Sequence, residues 1–251
     1  MMAKKIFIGT SGHNYKHWIN KFYPKDLPQK EWLEFYAQHF NAVELNVTFY
    51  RLPKETVFDN WYKRTPSDFH FVIKGSRFIT HIKRLRDCKE PLNLFMQRAA
   101  HLKDKLACVL WQTPPNLSYD AKRIKDFVKY LKEWPQYLYS FEFRNKSWFN
   151  EELYDIFKEN NINLCIADSP SYPYEEVFTS NFLYLRFHGG KKLYGSNYSS
   201  SELEEWKDKI NVWMKDKSTL FAFFNNDAYG FAVENALYFQ KLFLNSQPLN
   251  M

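Results

Sequence analysis

Cysteine, glycine and long apolar runs are scarce in this 251-residue sequence, and each scarcity removes a class of protein. The three cysteines, Cys88, Cys108 and Cys165, form no CxxC pair, and two lie in apolar, strand-like runs. Reduced core thiols in a reducing, cytoplasmic compartment fit that usage better than a disulfide framework or a zinc knuckle. Seven glycines supply no dinucleotide fingerprint. The turn after the first strand candidate reads GTSGHNY (9–15), which also lacks the lysine of a phosphate-binding P-loop. Histidine forms no HxH, HExxH or cluster, which argues against a zinc centre. No apolar run approaches the about 20 residues that span a bilayer, so no membrane partner is expected. The N-terminal MMAKKIFIGTSG has only a three-residue apolar run before glycine, and no signal peptide is expected from it.

Aromatic residues are abundant. Eight Trp, 17 Tyr and 24 Phe make up 20% of the chain, more than packing alone calls for, and some are expected to line a site. The formal charge of +7 favours acidic or phosphorylated partners, although the 35 basic residues are scattered among 28 acids. Nothing in the composition marks a linker, so a single domain is expected over residues 1–251.

Eight short β-rich runs recur at 5–9, 42–46, 69–74, 106–112, 137–144, 162–168, 182–188 and 219–225, with helical patterns between them. Helices are predicted at 30–40, 54–64, 91–103, 121–133, 151–160, 202–216 and 228–244. Their start signals are Ser118 or Asp120, Asn150, a capping box from Ser200 or Ser201 to Glu204, and Asp227. The segment 169–181, SPSYPYEEVFTSN, has two prolines and is expected to replace a regular sixth helix with an irregular connection. Eight alternations in about 250 residues match a (β/α)8 TIM barrel. An open doubly wound sheet is the competitor, and its usual glycine-rich first turn is missing.

In such a barrel the chemistry sits at the C-terminal ends of the strands. Those ends offer Thr10, Ser11, Glu44, Asn46, Lys74, Gln112, Glu142, Arg144, Asp168, Arg186, His188, Asn225, Asn226 and Asp227. Period two sends Glu44 and Asn46 inward opposite Val43 and Leu45, Lys74 inward opposite Ile73, and Arg186 with His188 opposite Leu185 and Phe187. Asp168 shares parity with the apolar Leu164 and Ile166, which leaves its direction open. Inward charges at several strand ends are costly unless paired or used, so a pocket is predicted, with an ion-pair layer as the competing explanation.

Three chemistries compete for this pocket. An anion could rest on RFHGGKKLYGSNYS (186–199), where Gly189 and Gly190 would free backbone amides beside Lys191 or Lys192. Acid–base catalysis could use Glu44, Glu142 or Asp168. Arg144 keeps Glu142 ionised, so Glu142 is a base or clamp and Lys74 or His188 the acid, unless Glu142 and Arg144 merely brace the barrel. A divalent metal could sit among Glu44, Glu142, Asp168 and His188, although Lys74, Arg144 and Arg186 compete for those carboxylates. His81 is a loop candidate. Tyr15, Trp18, Phe22 and Tyr23 form either a rim for a base or sugar ring or core packing.

The stretches GTSGHNYKHWINKFYP, VELNVTFYRLP, FVIKGSRFITHIKRL, LWQTPPNL, FEFRNKSW, LYLRFHGGKKLYGSNYS and FFNNDAYGFAVENA, in this order, resemble the domain of unknown function 72 family. The likeness runs from about residue 6 to 240. It implies a TIM barrel and draws attention to Glu44, Asn46, Lys74, His81, Gln112, Glu142, Arg144, Arg186, His188, Asn225 and Asn226, without assigning any of them a role. One departure is His13, where the family motif has tryptophan after the glycine. The expectation is an enzyme of hydrolase or lyase type, without an organic cofactor, acting on a small anionic or phosphate-bearing substrate, with nucleic acid as one such partner. The alternatives are a non-catalytic binder of an anion or nucleic acid, and a metal-dependent sugar or sugar-phosphate enzyme.

Overall fold

The structure, a computed structural model, describes residues 4–244 of the chain. Its strands are β1 (Lys5–Thr10), β2 (Ala42–Leu45), β3 (His70–Lys74), β4 (Leu106–Gln112), β5 (Leu138–Glu142), β6 (Asn163–Leu164), β7 (Ile166–Asp168), β8 (Phe182–Phe187) and β9 (Thr219–Phe224). Every ladder between them is parallel. They form a four-stranded sheet in the order β1-β9-β8-β7 and a five-stranded sheet in the order β2-β3-β4-β5-β6. This is an α/β fold with parallel sheets, consistent with a TIM-barrel-like arrangement, rather than eight strands in one unbroken ladder.

The two sheets meet at two seams. At one, only Cys165 separates β6 from β7, and its amide donates to Phe141 O at 2.8 Å. The expected sixth strand therefore exists but breaks in the middle. At the other, Ser11 and Glu44 form a parallel bridge and the Gly12 amide donates to Glu44 O at 2.7 Å. Side chains complete this seam. Tyr36 OH accepts from the Thr10 amide (2.9 Å) and reaches Ala42 O (3.2 Å), while Asn41 Nδ2 donates to Ile6 O (2.7 Å). The approach is close enough that a Cβ on Gly9 would lie 2.1 Å from Ala42 O.

Period-two alternation produces two apolar layers. Phe7, Val72, Cys108, Leu110, Cys165, Ala167, Tyr184 and Phe221 belong to an inner cluster. Val43, Leu45, Ile73, Trp111, Phe141 and Leu185 belong to the larger outer cluster with the helices. These are α1 (Trp32–Ala37), α2 (Val47–Tyr50), α3 (Glu55–Lys63), α4 (Lys89–Ala99), α5 (Ala121–Leu131), α6 (Glu151–Glu159), α7 (Ser200–Trp213) and α8 (Phe231–Leu244). Residues 169–181 hold no helix. Among the described residues, no helix is long and apolar enough to cross a membrane. The three cysteines are free and buried.

Asp120 and Asn150 cap α5 and α6, accepting from the Arg123 and Leu153 amides at 3.0 Å. Two expected caps move. The capping box of α7 is Ser199 with Glu202, because the run SSSELEE offers several equivalent registers and Asn235 fixes the backbone of Tyr198 just ahead of it. Asp227 does not cap α8, which begins at Phe231; it is held instead by His17 Nε2 and Trp18 Nε1, each at 2.9 Å.

The tight seam makes Gly9→Ala a direct test. It is expected to cost about 1–3 kcal/mol in urea unfolding, as overpacking does, whereas Ser199→Ala costs about 1 kcal/mol for a lost cap. A Gly9→Ala chain as stable as the parent would contradict the close packing of β1 on β2.

Candidate functional site

Three inward side chains from three strands meet between the sheets. Arg186 on β8 donates through Nη2 to Glu44 Oε1 on β2 (2.7 Å) and through Nη1 to Glu142 Oε2 on β5. All three are at most 1% exposed. Ser11 Oγ and Tyr184 OH (2.6 Å) also donate to Glu44, while Gln112 Nε2 and Arg144 Nε, each at 2.9 Å, donate to Glu142. Charge balances within this group, two carboxylates against two guanidiniums.

Burial alone would raise both carboxyl groups. The adjacent Arg186 charge overcomes it, so Glu44 titrates below its ordinary range and Glu142, with Arg144 beside it as well, far below. Both are ionised at neutral pH and neither is a proton donor. His188 is fully buried, its Nε2 3.5 Å from Glu142 Oε1 and its Nδ1 3.1 Å from Asn225 Nδ2. Burial, with Arg186 opposing Glu142, pushes it down to about 4. It is therefore a neutral imidazole at pH 7, and its N–H is what it can offer.

Above this layer opens a pocket of about 700 Å³. Of the residues the sequence singles out, Tyr15, Asn46, Lys74, His81, Gln112, Arg144, Arg186, Asn225 and Asp227 line it. Lys74 is 8% exposed, with Nζ 4.2 Å above the Phe49 ring and no hydrogen-bond or ion-pair partner among the described residues. Burial, with the Arg186 charge, pushes its ammonium down to about 7. Arg144 stacks on Tyr172, its Cζ 4.0 Å from the ring centroid, and donates to Tyr194 OH at 3.1 Å. His81 shares a hydrogen bond with Thr80 Oγ1 and is pushed down to about 4 by burial and by Lys74.

Other candidates lie elsewhere. Asp168 has outward parity, paired with Phe187 in the ladder, and accepts from Tyr198 OH at 2.6 Å. It shares that face with Leu164 and Ile166 of the outer cluster, while Cys165 and Ala167 belong to the inner one, so the alternation runs on across Cys165. Gly189 and Gly190 do not line the pocket. The Gly189 amide donates to Tyr198 OH, and the Lys191 and Lys192 amides donate to Ser196 Oγ, so the loop satisfies itself rather than presenting amides to an anion. Lys191 pairs with Glu202. Asn226 is buried and donates to Ser196 O and Asn235 Oδ1. His13 lines a separate cavity with Arg64. Of the first-loop aromatics, Trp18 and Tyr23 are core, and Tyr15 reaches the pocket while donating to Ser11 O.

The metal alternative loses its ligand set. Arg186 stands between Glu44 and Glu142, Asp168 faces away, and among the described residues no group of three or more His, Cys, Asp or Glu is placed to hold a metal ion. Sequence reasoning does not single out the lining residues His17, Phe49, Tyr50, Arg77, Tyr194 and Ala228, or Tyr184, which bonds Glu44 beneath the pocket and shares the legible parity of Arg186. Arg77 opens the short helical turn Phe78–Ile82 and Tyr194 sits on a loop, where no strand alternation marks direction.

A family model described as "Protein of unknown function DUF72" matches residues 7–250. UPF0759 protein YunF of Bacillus subtilis is 30% identical over 267 residues, covering 92% of each chain. UPF0759 protein YecE of Escherichia coli is 24% identical, over 83% of this chain and 82% of its own. A crystal structure of a DUF72 family protein from Thermotoga maritima superposes with a TM-score of 0.83 at 29% identity, covering 96% of this chain and 99% of that one. One from Enterococcus faecalis gives 0.79 at 24%, covering 96% of each, and supports the fold alone.

Glu44→Gln leaves Arg186 with one buried partner and is expected to destabilise the protein by about 3–5 kcal/mol, measured by denaturant unfolding. The neutral buried His188 adds a pH dependence. Its ordinary value is 6.5 and its folded value about 4, so the unfolded chain binds more protons and stability falls as pH drops from about 6.5 to about 4. His188→Asn should flatten part of that decline in thermal midpoints; an unchanged slope would mean the imidazole is not held neutral.

Proposed function

The chain belongs to the DUF72 family, and we propose that it is a closed (β/α)8 barrel whose polar end takes a small anionic or phosphate-bearing substrate, as an enzyme of hydrolase or lyase type without an organic cofactor. The observation that carries this reading is the charge left over in the pocket. Glu44 and Glu142 are consumed by Arg186 and Arg144, whereas Lys74 and Arg77 have no ion-pair partner among the described residues. Asp227, the acid on the lining, is already engaged by His17 and Trp18. Cations gathered in a cleft with low-dielectric walls attract and orient an anion, and a guanidinium suits phosphate or carboxylate oxygens.

The geometry supports a division of labour. Arg77 and Arg144 hold the anionic group. Glu142, locked in place as a carboxylate, orients Arg144, and Lys74, poised near neutrality, moves a proton or attacks. A group whose two protonation states are both populated at working pH is the one suited to acid–base work. His188, fully buried and off the pocket lining, turns its N–H toward Glu142 and helps to position that carboxylate.

A second reading, a binder of nucleic acid through the same face, draws support from Tyr50, which lines the pocket while 77% exposed, as a stacking surface beside the cations. Steep loss of oligonucleotide affinity with salt would favour it.

Inorganic phosphate and small sugar phosphates should raise the thermal midpoint, by the equivalent of about 2.7 kcal/mol at a hundredfold excess over Kd. Arg77→Ala should weaken that binding at least about tenfold, the loss of a charge-assisted contact of roughly 1.5 kcal/mol or more. Affinity should also decline as pH rises through about 7, where Lys74 loses its proton. Parent and Arg77→Ala proteins that respond alike, or not at all, would overturn the anion site.

A further inference from the structure

We propose that Lys74 is an amine nucleophile that forms an imine with the carbonyl carbon of a small anionic aldehyde or ketone, which makes the reaction one of bond cleavage or formation next to that carbonyl. This rests on the anion-binding reading of the same pocket and narrows its substrate class.

The contrast with Lys105 isolates what is unusual about Lys74. Both are buried, at 4% and 8% exposed. The Lys105 ammonium is fully committed, donating to Tyr62 O (2.6 Å), Thr65 O (2.7 Å) and Thr65 Oγ1 (3.1 Å). The Lys74 ammonium has only the Phe49 ring beneath it, and it opens on the pocket of about 700 Å³. A structural lysine is surrounded by acceptors, and a nucleophilic one must keep its lone pair available. Desolvation and neighbouring cations make an amine reactive in this way. Here the cations are Arg186 and Arg144, with Glu44 and Glu142 opposing them but bound to those arginines. The backbone that carries Lys74 is fixed by Thr48 Oγ1, which donates to Lys74 O at 2.7 Å, and by the Gly75 amide, which donates to Leu110 O at 2.8 Å.

The lining also suggests what stands beside the carbonyl. Asn46 Oδ1 is buried and has no hydrogen-bond partner among the described residues. It is an acceptor for a hydroxyl on a carbon near the reacting one, while Arg77 and Arg144 take the anionic end. In the step itself the Nζ lone pair adds to the carbonyl carbon and the C=O π electrons move to oxygen. Proton transfer from nitrogen to oxygen gives a carbinolamine, which loses water to leave the imine. Amine and carbonyl thus become imine and water, with no change of oxidation state. The protonated imine then accepts the electron pair of an adjacent C–C or C–H bond, and hydrolysis returns the amine.

The test is reductive trapping of the full-length protein near neutral pH with sodium cyanoborohydride and either glyoxylate or dihydroxyacetone phosphate, which separates a carboxylate from a phosphate as the anionic end. The expected product is a single adduct weighing one probe molecule less one oxygen, mapped to Lys74 by peptide mass spectrometry. It should be lost in Lys74→Arg and suppressed by excess inorganic phosphate. Competitive acetylation of the unmodified protein across pH needs no variant to fold. Lys74 should label with a midpoint near neutrality, well below the surface lysines. Adducts scattered over surface lysines and unchanged by Lys74→Arg would overturn the proposal, as would a Lys74 that acetylates with the surface midpoint. Phosphate binding without any adduct removes the imine and leaves the anion site standing; neither binding nor adduct removes both.

Discussion

Arg186 is the side chain on which the interior is organised. It belongs to the four-stranded sheet, and both of its carboxylate partners belong to the five-stranded one, so a single guanidinium ties the two sheets together across the middle of the protein. Removing three charges from water costs several kcal/mol per ion and is offset only when the geometry is good and the remaining donors and acceptors are satisfied. Ser11, Tyr184, Gln112 and Arg144 provide that satisfaction. The arrangement also constrains register. Slipping β8 by one residue would turn Arg186 into the apolar outer layer and bring Phe187 inward, and the pair of glutamates would be left facing each other without a counter-charge.

The same interaction shapes the chemistry above it. A pocket floored by two free carboxylates would repel anions and invite a metal. With Arg186 and Arg144 bound to them, the floor is neutral and the unpaired cations Lys74 and Arg77 set the sign of the field. Paired charge below and unpaired charge above thus coexist, and the ion-pair reading of Glu142 and the pocket reading of its neighbours are compatible.

How far the sequence could be read follows the physics of the ladders. Inside a strand, alternation fixes direction, so Glu44, Lys74 and Arg186 read as inward from their apolar neighbours and converge as that parity requires. Strand positions were legible to within a residue or two for the same reason. Asp168 stands apart from the site because it keeps the outward parity of Leu164 and Ile166; the alternation runs on across Cys165, and those apolar neighbours on its face are the signal. Gly189 and Gly190 mislead because composition shows which amides a loop owns but not that Tyr198 and Ser196 hydroxyls already occupy them. The serine-rich start of α7 satisfies the capping pattern in more than one register, and only the tertiary grip of Asn235 on Tyr198 selects one. Arg77, at the start of a short helical turn, and Tyr194, on a loop, carry no strand alternation, and each reaches the pocket through tertiary geometry that no period encodes.

The helix-free connection at 169–181 has a consequence for how this site can diversify. It carries Tyr172, whose ring backs the guanidinium that would hold a ligand, yet it contributes no helix to the layer packed around the sheets. Exchanging a helix there would mean recutting the core on one side of the molecule. The irregular stretch is anchored at its far end, where Val177 and Phe178 pack against the core and Thr179 bonds the backbone around β6. The more exposed residues around Tyr172 are therefore where the wall against which Arg144 rests can vary, and with it the size and shape of what is admitted, while the floor stays unchanged.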